Sequence, residues 1–376
     1  MRVLVVGTGV MGLATARVLA ERGHDVVALD RFGVGNRQAS SSGATRIWRL
    51  AHSEPFMVRL ARRTVDAWRE LERRGDRTLL LQTGLLWRGR DAERVHDASH
   101  GQGVVAELVG RSRQSELFPE LVTDDRPVLW QPEAGALLAA EGLAVQAALF
   151  AAAGGSLVVY ERVLDIEARS GGGVSVVTRT DARGGSDTEL ARREADVVVV
   201  TAGPWASELL DRLGVELSLE PVLEQVAYVD GPVGWEQRPA LIDEVTLRGD
   251  GGFYAMPTPG IGYKVGIEKP AGLWRPDDHD RTPSAALVQE ARDLVAATLS
   301  GFGPDVTLAE VCTWTTGPDD LFVLDRVGDV VIGTSDGGQG FKFSPLIGEI
   351  LADHAEGRTI DDDAAQLSLA RFAPAP

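Results

Sequence analysis

Three lysines stand in this chain, Lys264, Lys269 and Lys342, and the other 35 of its 38 basic residues are arginine. A sequence that uses arginine for generic positive charge keeps lysine where a compact ammonium is needed in place of a planar fork, which makes these residues candidates for chemistry. Lys264 lies in Gly262-Tyr263-Lys264-Val265-Gly266 and Lys342 in Gly340-Phe341-Lys342-Phe343-Ser344, whereas Lys269 fits no motif and reads as a surface residue. Arg46 and Arg49 close a basic Gly/Ser-rich stretch that starts at Gly35. A guanidinium there can hold a carboxylate in bidentate fashion or pair with the acidic surface. The chain has one cysteine, Cys312. Alone it allows neither an intrachain disulfide nor a thiolate metal cluster, so no metal site is expected from it. It is either a small buried core residue or a nucleophile.

These residues need a scaffold, and its clearest element is at the start. Arg2 to Val6 reads as a buried parallel strand running into Gly7-Thr8-Gly9-Val10-Met11-Gly12, after which apolar residues recur at helical spacing up to Gly23. The first glycine permits a tight turn, the second lets backbone approach a pyrophosphate, and the third lets helix pack on strand. The diphosphate then sits at the helix N-terminus. A second strand ends in Asp30, 18 positions beyond Gly12, where a carboxylate can take a ribose hydroxyl. An acidic residue there argues against a 2′-phosphate, so FAD or NAD is expected over NADP, and the fingerprint does not choose between those two.

The continuation does choose. Strands and helices do not keep alternating; instead a long amphipathic helix follows from about Ser53 to Arg74, with Phe56, Met57, Leu60, Ala61, Val65, Trp68 and Leu71 as its inner stripe. Ala195 to Thr201 reads as another buried strand, closed by Ala202-Gly203-Pro204-Trp205. Val330 to Gly333 leads through a glycine-rich turn to Ser344 as a cap and Pro345 in the first turn of a helix reaching about Ala355. The strand-like segments Thr83 to Arg88, Leu219 to Val229 and Gly252 to Met256, with a helix near Ser284 to Leu299, suggest an inserted, mostly antiparallel second domain. Ser170 to Glu189 reads as an exposed hairpin region. The expected fold class is α/β (α+β two-domain): a Rossmann-like nucleotide domain from residues 1–80, 138–210 and 316–376, and a substrate domain from 81–137 and 211–315.

At 376 residues and 44% hydrophobic content the chain has enough material for well-buried cores. A formal charge of −17 repels phosphate backbones and anionic lipid, so nucleic-acid and membrane-surface partners are not expected. Three glycines break the apolar opening, against a secretory signal, and no other run of about 20 uncharged apolar residues exists. A soluble, cytoplasmic protein is expected.

The combination GTGVMG, GATRIWR, AGPW, CTWTTGPDDLFVLD and GGQGFKFSPLIGE resembles the flavin-dependent amine oxidases of the monomeric sarcosine oxidase and N-methyltryptophan oxidase type, over nearly the full length. The resemblance implies a D-amino-acid-oxidase-like FAD fold, a single subunit, an amino or imino acid substrate, and O2 as acceptor with H2O2 as product. It implies that Cys312 is bonded covalently to the 8α carbon of the flavin. It also places the substrate carboxylate between Arg49 and Lys342, Lys264 over the flavin as the promoter of the O2 reaction, Arg46 beside the ring, and Tyr254 in the substrate pocket. Gly7, Gly9, Gly12, Asp30, Arg31, Ser42, Thr45, Gly203, Trp205, Gly338, Gly340 and Phe341 are expected to join them around FAD. Sarcosine oxidases place histidines where Ser42 and Glu268 stand and a tyrosine where Trp314 stands. Glu268 is therefore open to two readings, a recognition group for a cationic part of the substrate or a solvent-facing carboxylate.

The expected activity is oxidation of a C–N bond in a secondary, N-methyl or cyclic, amino acid to an imine. A flavin dehydrogenase with another electron acceptor, a cyclic imino acid oxidase of a secondary-metabolite pathway and a non-catalytic flavin- or NAD-binding module are the alternatives.

Overall fold

The computed structural model describes residues 1–180, 189–244, 251–303 and 305–372. Strand β1 (Arg2–Val6) is buried from Val3 onward because it lies inside a six-stranded sheet. It pairs in parallel with β2 (Asp25–Asp30) on one side and with Val197–Val200 on the other. Val330–Thr334 adds a further parallel strand and Val323–Val327 an antiparallel edge, while Ser156–Val159 closes the opposite edge. The sheet thus draws strands from the start, middle and end of the chain. Its central strands are near-continuous valine runs, as burial on both faces requires.

Helix α1 (Val10–Glu21) is buried from Val10 to Ala20 without a polar face. Helix α2 (Pro55–Gly75) starts with proline in its first turn and closes at Asp76 in a left-handed conformation, φ 48°. Of the expected inner stripe, Phe56, Met57, Leu60, Ala61, Trp68 and Leu71 are buried and Val65 is partly so.

Helix α3 (Gly340–Glu356) begins four residues before the expected cap at Ser344. Gly337 and Gly338 both take positive φ, 50° and 69°, and the Asp336 carboxylate accepts from Gly338 N–H at 2.9 Å. This turn is tight enough for the helix to start at once. Lys342, Ser344 and Pro345 consequently lie within it, and Pro345 removes one intrahelical bond. α3 packs on α1 at van der Waals limit, since a Cβ on Gly348 would stand 2.7 Å from the Ala14 backbone.

A three-stranded sheet joins β3 (Thr45–Trp48) to Gly135–Leu138 and Leu80–Leu81. The larger antiparallel sheet is built on β4 (Glu220–Val229), β5 (Phe253–Thr258), β6 (Gly262–Leu273) and β7 (Val306–Thr316), in the spatial order β7-β4-β6-β5. It continues through Ala240–Asp243, Leu85–Arg88, Val128–Gln131 and Glu107–Leu108, with Ala240–Asp243 parallel to Leu85–Arg88. The segment expected as an exposed hairpin contains a strand, Val174–Thr180. Val174 and Val176 are fully buried and Ser175 and Thr178 are buried with them, because the strand is the central one of a three-stranded sheet. Residues 181–188 of that expectation lie outside the described residues. Among the described residues no helix is long and apolar enough to cross a membrane.

Candidate active site and cofactor cradle

The glycine turn is shaped by backbone that admits no side chain. A Cβ on Gly7, whose φ is 93°, would stand 2.5 Å from the Thr201 carbonyl oxygen, and one on Gly12 would stand 2.0 Å from the Gly7 oxygen. Gly12 therefore sets the approach of α1 to β1, while Gly9 meets only the Ser41 hydroxyl, at 3.2 Å. No side chain caps α1 at Gly9. Val10 N–H donates to Ser41 Oγ at 2.9 Å, which leaves the Met11 and Gly12 N–H groups and the positive end of the helix dipole for an anion. The Asp30 carboxylate accepts from Thr8 N–H and Thr8 O–H on one oxygen, both at 2.8 Å, and from Phe32 and Gly33 N–H on the other. It fixes the ends of both loops, and the Thr8 hydroxyl is the one donor free to rotate away for a ribose.

Register builds the opposite wall. Antiparallel pairing sets Cys312 directly across from Glu224, and Tyr254 across from Gly266 and from Ile242. Ile242 in turn stands opposite Trp87. Residues paired across strands project to one face, but register shifts between β4 and β6 set Gly266 opposite Val226 and Pro270 opposite Glu224, so Tyr254 reaches Glu224 on a diagonal. Gly266 is what lets Tyr254 lie flat across β6, since a Cβ there would be 2.3 Å from its ring. Tyr254 O–H reaches over the gap and donates to Glu224 Oε1 at 2.8 Å. Along the same face Lys264 pairs with Met256 and Tyr228.

Glu224 is 4% exposed, and burial pushes its carboxyl up to about 7 against the pull of Tyr254, Lys264 and Arg46. Burial, reinforced by Glu224, pushes the Cys312 thiol up to about 11, so it is a protonated thiol and not a thiolate. Lys264 is 3% exposed; burial, with Arg46 nearby, lowers its ammonium to about 8. It donates to the Thr45 carbonyl at 3.0 Å.

A second cationic group lines the same cavity. Arg49 stacks on Trp87, its Cζ 4.5 Å from the ring centre, and donates to the Ala51 carbonyl and to Gln339 Oε1. Burial lowers it to about 10. Lys342 makes a long contact to the Gln339 carbonyl, 3.4 Å, and lies over the Phe343 ring at 5.6 Å, and burial together with Arg49 holds its ammonium well below the usual lysine range. His52, buried with no partner on Nε2, is held well below its ordinary value by burial and then by both cations. Glu268 stands at the exposed rim and raises Arg49 by its charge.

One continuous cavity runs between these walls. Of the residues expected from sequence, Gly7, Gly9, Asp30, Arg31, Arg46 and Arg49 line it. So do Gly203, Trp205, Tyr254, Lys264, Cys312, Gly338, Gly340, Phe341 and Lys342. Gly12, Ser42 and Thr45 stand behind the wall. Thr45 supports it by giving its carbonyl to both Lys264 and Arg46, and Ser42 gives its own carbonyl to Arg46 at 2.5 Å. Arg31 turns its guanidinium to Asp277 at 3.0 Å. The lining also carries buried polar atoms without a protein partner, Ser40 Oγ, Trp314 Nε1, Thr315 Oγ1 and Thr334 Oγ1. Glycine turn, uncapped helix and spare hydroxyls suit the diphosphate and polyol of FAD, and the sheet face with Cys312 suits its ring. Sequence reasoning missed Glu224 and Asp336; the latter is pushed up to about 6 by burial. A lone carboxylate inside the apolar run Val222-Leu223-Glu224-Gln225-Val226 was the available signal.

A family model described as FAD dependent oxidoreductase matches residues 2–354. The chain is 29% identical to a monomeric sarcosine oxidase of Bacillus sp. (strain NS-129), over 99% of this chain and 97% of that protein. It is 28% identical to the peroxisomal sarcosine oxidase of Mus musculus, over 98% and 95%. Among solved structures, NikD, an unusual amino acid oxidase essential for nikkomycin biosynthesis, superposes with a TM-score of 0.82 at 27% identity, covering 97% of this chain and 96% of that one.

Proposed function

The chain belongs to the FAD dependent oxidoreductase family, and from that premise we propose that it oxidises the C–N bond of a secondary, N-methyl or cyclic, amino acid to the imine and passes the electrons to O2. That it is an FAD-dependent enzyme acting on amine donors follows from the family and its sarcosine oxidase relatives.

The observation that carries the substrate class is the meeting of Arg49 and Lys342. Arg49 depresses the Lys342 ammonium, and among the described residues no buried carboxylate is hydrogen-bonded to either cation. A substrate carboxylate would relieve that repulsion and accept charge-assisted bonds contributing about 1.5–3 kcal/mol each. Trp87, stacked on Arg49, fixes the guanidinium plane, so the fork fixes the orientation of the acid and hence of the adjacent C–H bond.

When bound, FAD supplies the two-electron acceptor and returns the electrons to O2. Gly7, Gly9 and the α1 N-terminus would hold its diphosphate, and Cys312 would tether its ring through sulfur at the 8α carbon. Lys264, anchored on the Thr45 carbonyl and buried, keeps a positive charge where negative charge develops on O2, and it needs no reorganisation to do so. Arg46, pinned by the carbonyls of Ser40, Ser42 and Thr45, would supply a second fixed charge to the bound flavin. The protein acts as a single subunit.

The test is a screen of the purified flavoprotein with N-methyl and cyclic amino acids beside the amines that lack the carboxylate. The acids should bleach the flavin without O2 and give one peroxide per imine with it. Equal bleaching by the carboxylate-free amines, or none by any acid, would overturn the reading.

A further inference from the structure

An amino acid in neutral water carries an ammonium, with a pKa of about 10 in the range of other alkylammonium groups. A C–H bond beside nitrogen gives up its electron pair readily only when the nitrogen lone pair is free to form the C=N bond. The site must therefore take one proton from the substrate before oxidation, and a carboxylate within reach can receive it.

Tyr254 and Glu224 supply a path. The single O–H of Tyr254 is committed to Glu224 Oε1 at 2.8 Å, so its oxygen has only lone pairs to offer a ligand, and both residues line the cavity. The phenol is held across bare Gly266, which fixes the direction of the bond. Facing Glu224 are Tyr254 from β5, Lys264 and Glu268 from β6, Cys312 from β7 and Arg46 from β3. Lys264 and Arg46 make a carboxylate tolerable in a buried place, while burial makes a carboxyl acceptable too, so Glu224 is stable in either form. Tyr254, kept far above the ordinary phenol range by burial and Glu224, passes a proton without becoming a phenolate.

We infer that Tyr254 and Glu224 form a proton relay that receives the ammonium proton of an incoming amino acid. The N–H⁺ bond breaks toward Tyr254 oxygen as the tyrosine proton moves to Glu224, leaving a neutral amine, a neutral phenol and a protonated Glu224. This deepens the carboxylate-clamp reading and rests on it.

The experiment uses the FAD-loaded protein and two probes that cannot be oxidised at the α carbon, 2-aminoisobutyrate and its hydroxyl counterpart 2-hydroxyisobutyrate. Binding is followed by calorimetry in buffers of different protonation enthalpy, for wild type, Glu224→Gln and Tyr254→Phe. At about pH 8, above Glu224 and below the ammonium, wild type should bind the amino acid with no net proton release. Each variant should release about one proton, and its affinity should rise about tenfold per pH unit toward the amine pKa while that of wild type stays level. The hydroxy acid should bind all three alike. Weaker binding by one factor at every pH, without proton release, would make Glu224 a mere counter-ion and overturn the relay. So would wild-type behaviour in Tyr254→Phe, even if Glu224→Gln failed to fold. If wild type binds neither acid, the clamp itself fails and the relay falls with it.

Discussion

Glu224→Gln should stabilise the protein, by an amount that grows with pH. The carboxyl is 4% exposed, and burial raises it from its ordinary 4.5 to about 7. At low pH the folded and unfolded chains both carry the proton, and glutamine and glutamic acid are equivalent. As pH rises past 4.5 the unfolded chain ionises while the folded chain does not. Stability supplied by this group is present below its unfolded pKa and is lost as pH climbs through about 7. Two to three pKa units at 1.36 kcal/mol each make the deficit about 3 kcal/mol above neutrality, an upper figure given the cations around it. The amide carries no such cost and still accepts from Tyr254 O–H. Urea unfolding of wild type and variant, followed by tryptophan emission, should give stabilities that converge toward about pH 4.5 and part by about 3 kcal/mol at about pH 8. A gap that does not change with pH, or a wild type more stable at high pH, would refute the reasoning and show Glu224 ion-paired to Lys264 or Arg46.

Other substitutions test other walls of the site. Gly12→Ala forces a Cβ to within 2.0 Å of the Gly7 oxygen, so α1 must leave β1; bound FAD per chain, read from visible absorbance, should fall toward zero, with a loss of about 1–3 kcal/mol in stability. Arg49→Lys keeps the charge and loses the fork, and should weaken a carboxylate inhibitor about tenfold or more in a binding titration while leaving FAD content unchanged. Lys264→Met should slow reoxidation of the reduced enzyme by O2 about 10²- to 10³-fold in stopped flow, with the substrate-driven half-reaction little altered.

How much of this was legible beforehand differs by element. β1, α1, β2 and α2 were legible because local signals agree there: an apolar period, a glycine turn and a proline at the first helical turn. The α3 start was not, because Ser344 and Pro345 resemble a helix beginning, whereas Gly337 and Gly338 at positive φ decide it from outside the helix. Lys264, Lys342, Arg46, Arg49 and Cys312 were found as residues, yet their meeting at one cavity depends on register between strands far apart in the chain. Glu224 shows the limit most plainly. Its neighbours are set by pairing with Cys312 and by a tyrosine crossing an intervening strand at Gly266, and no local pattern encodes either. Its being a charge in a buried strand was visible, but its partners were not.

The proposed tether at Cys312 would tie the sheet face to the glycine turn through FAD, and mass spectrometry of the denatured, digested protein tests it directly. The peptide containing Cys312 should be heavier by one FAD less two hydrogens, and Cys312→Ser should bind FAD yet release all of it in acid. An unmodified Cys312 peptide from the yellow wild-type protein, with its flavin entirely in the acid supernatant, would contradict the account.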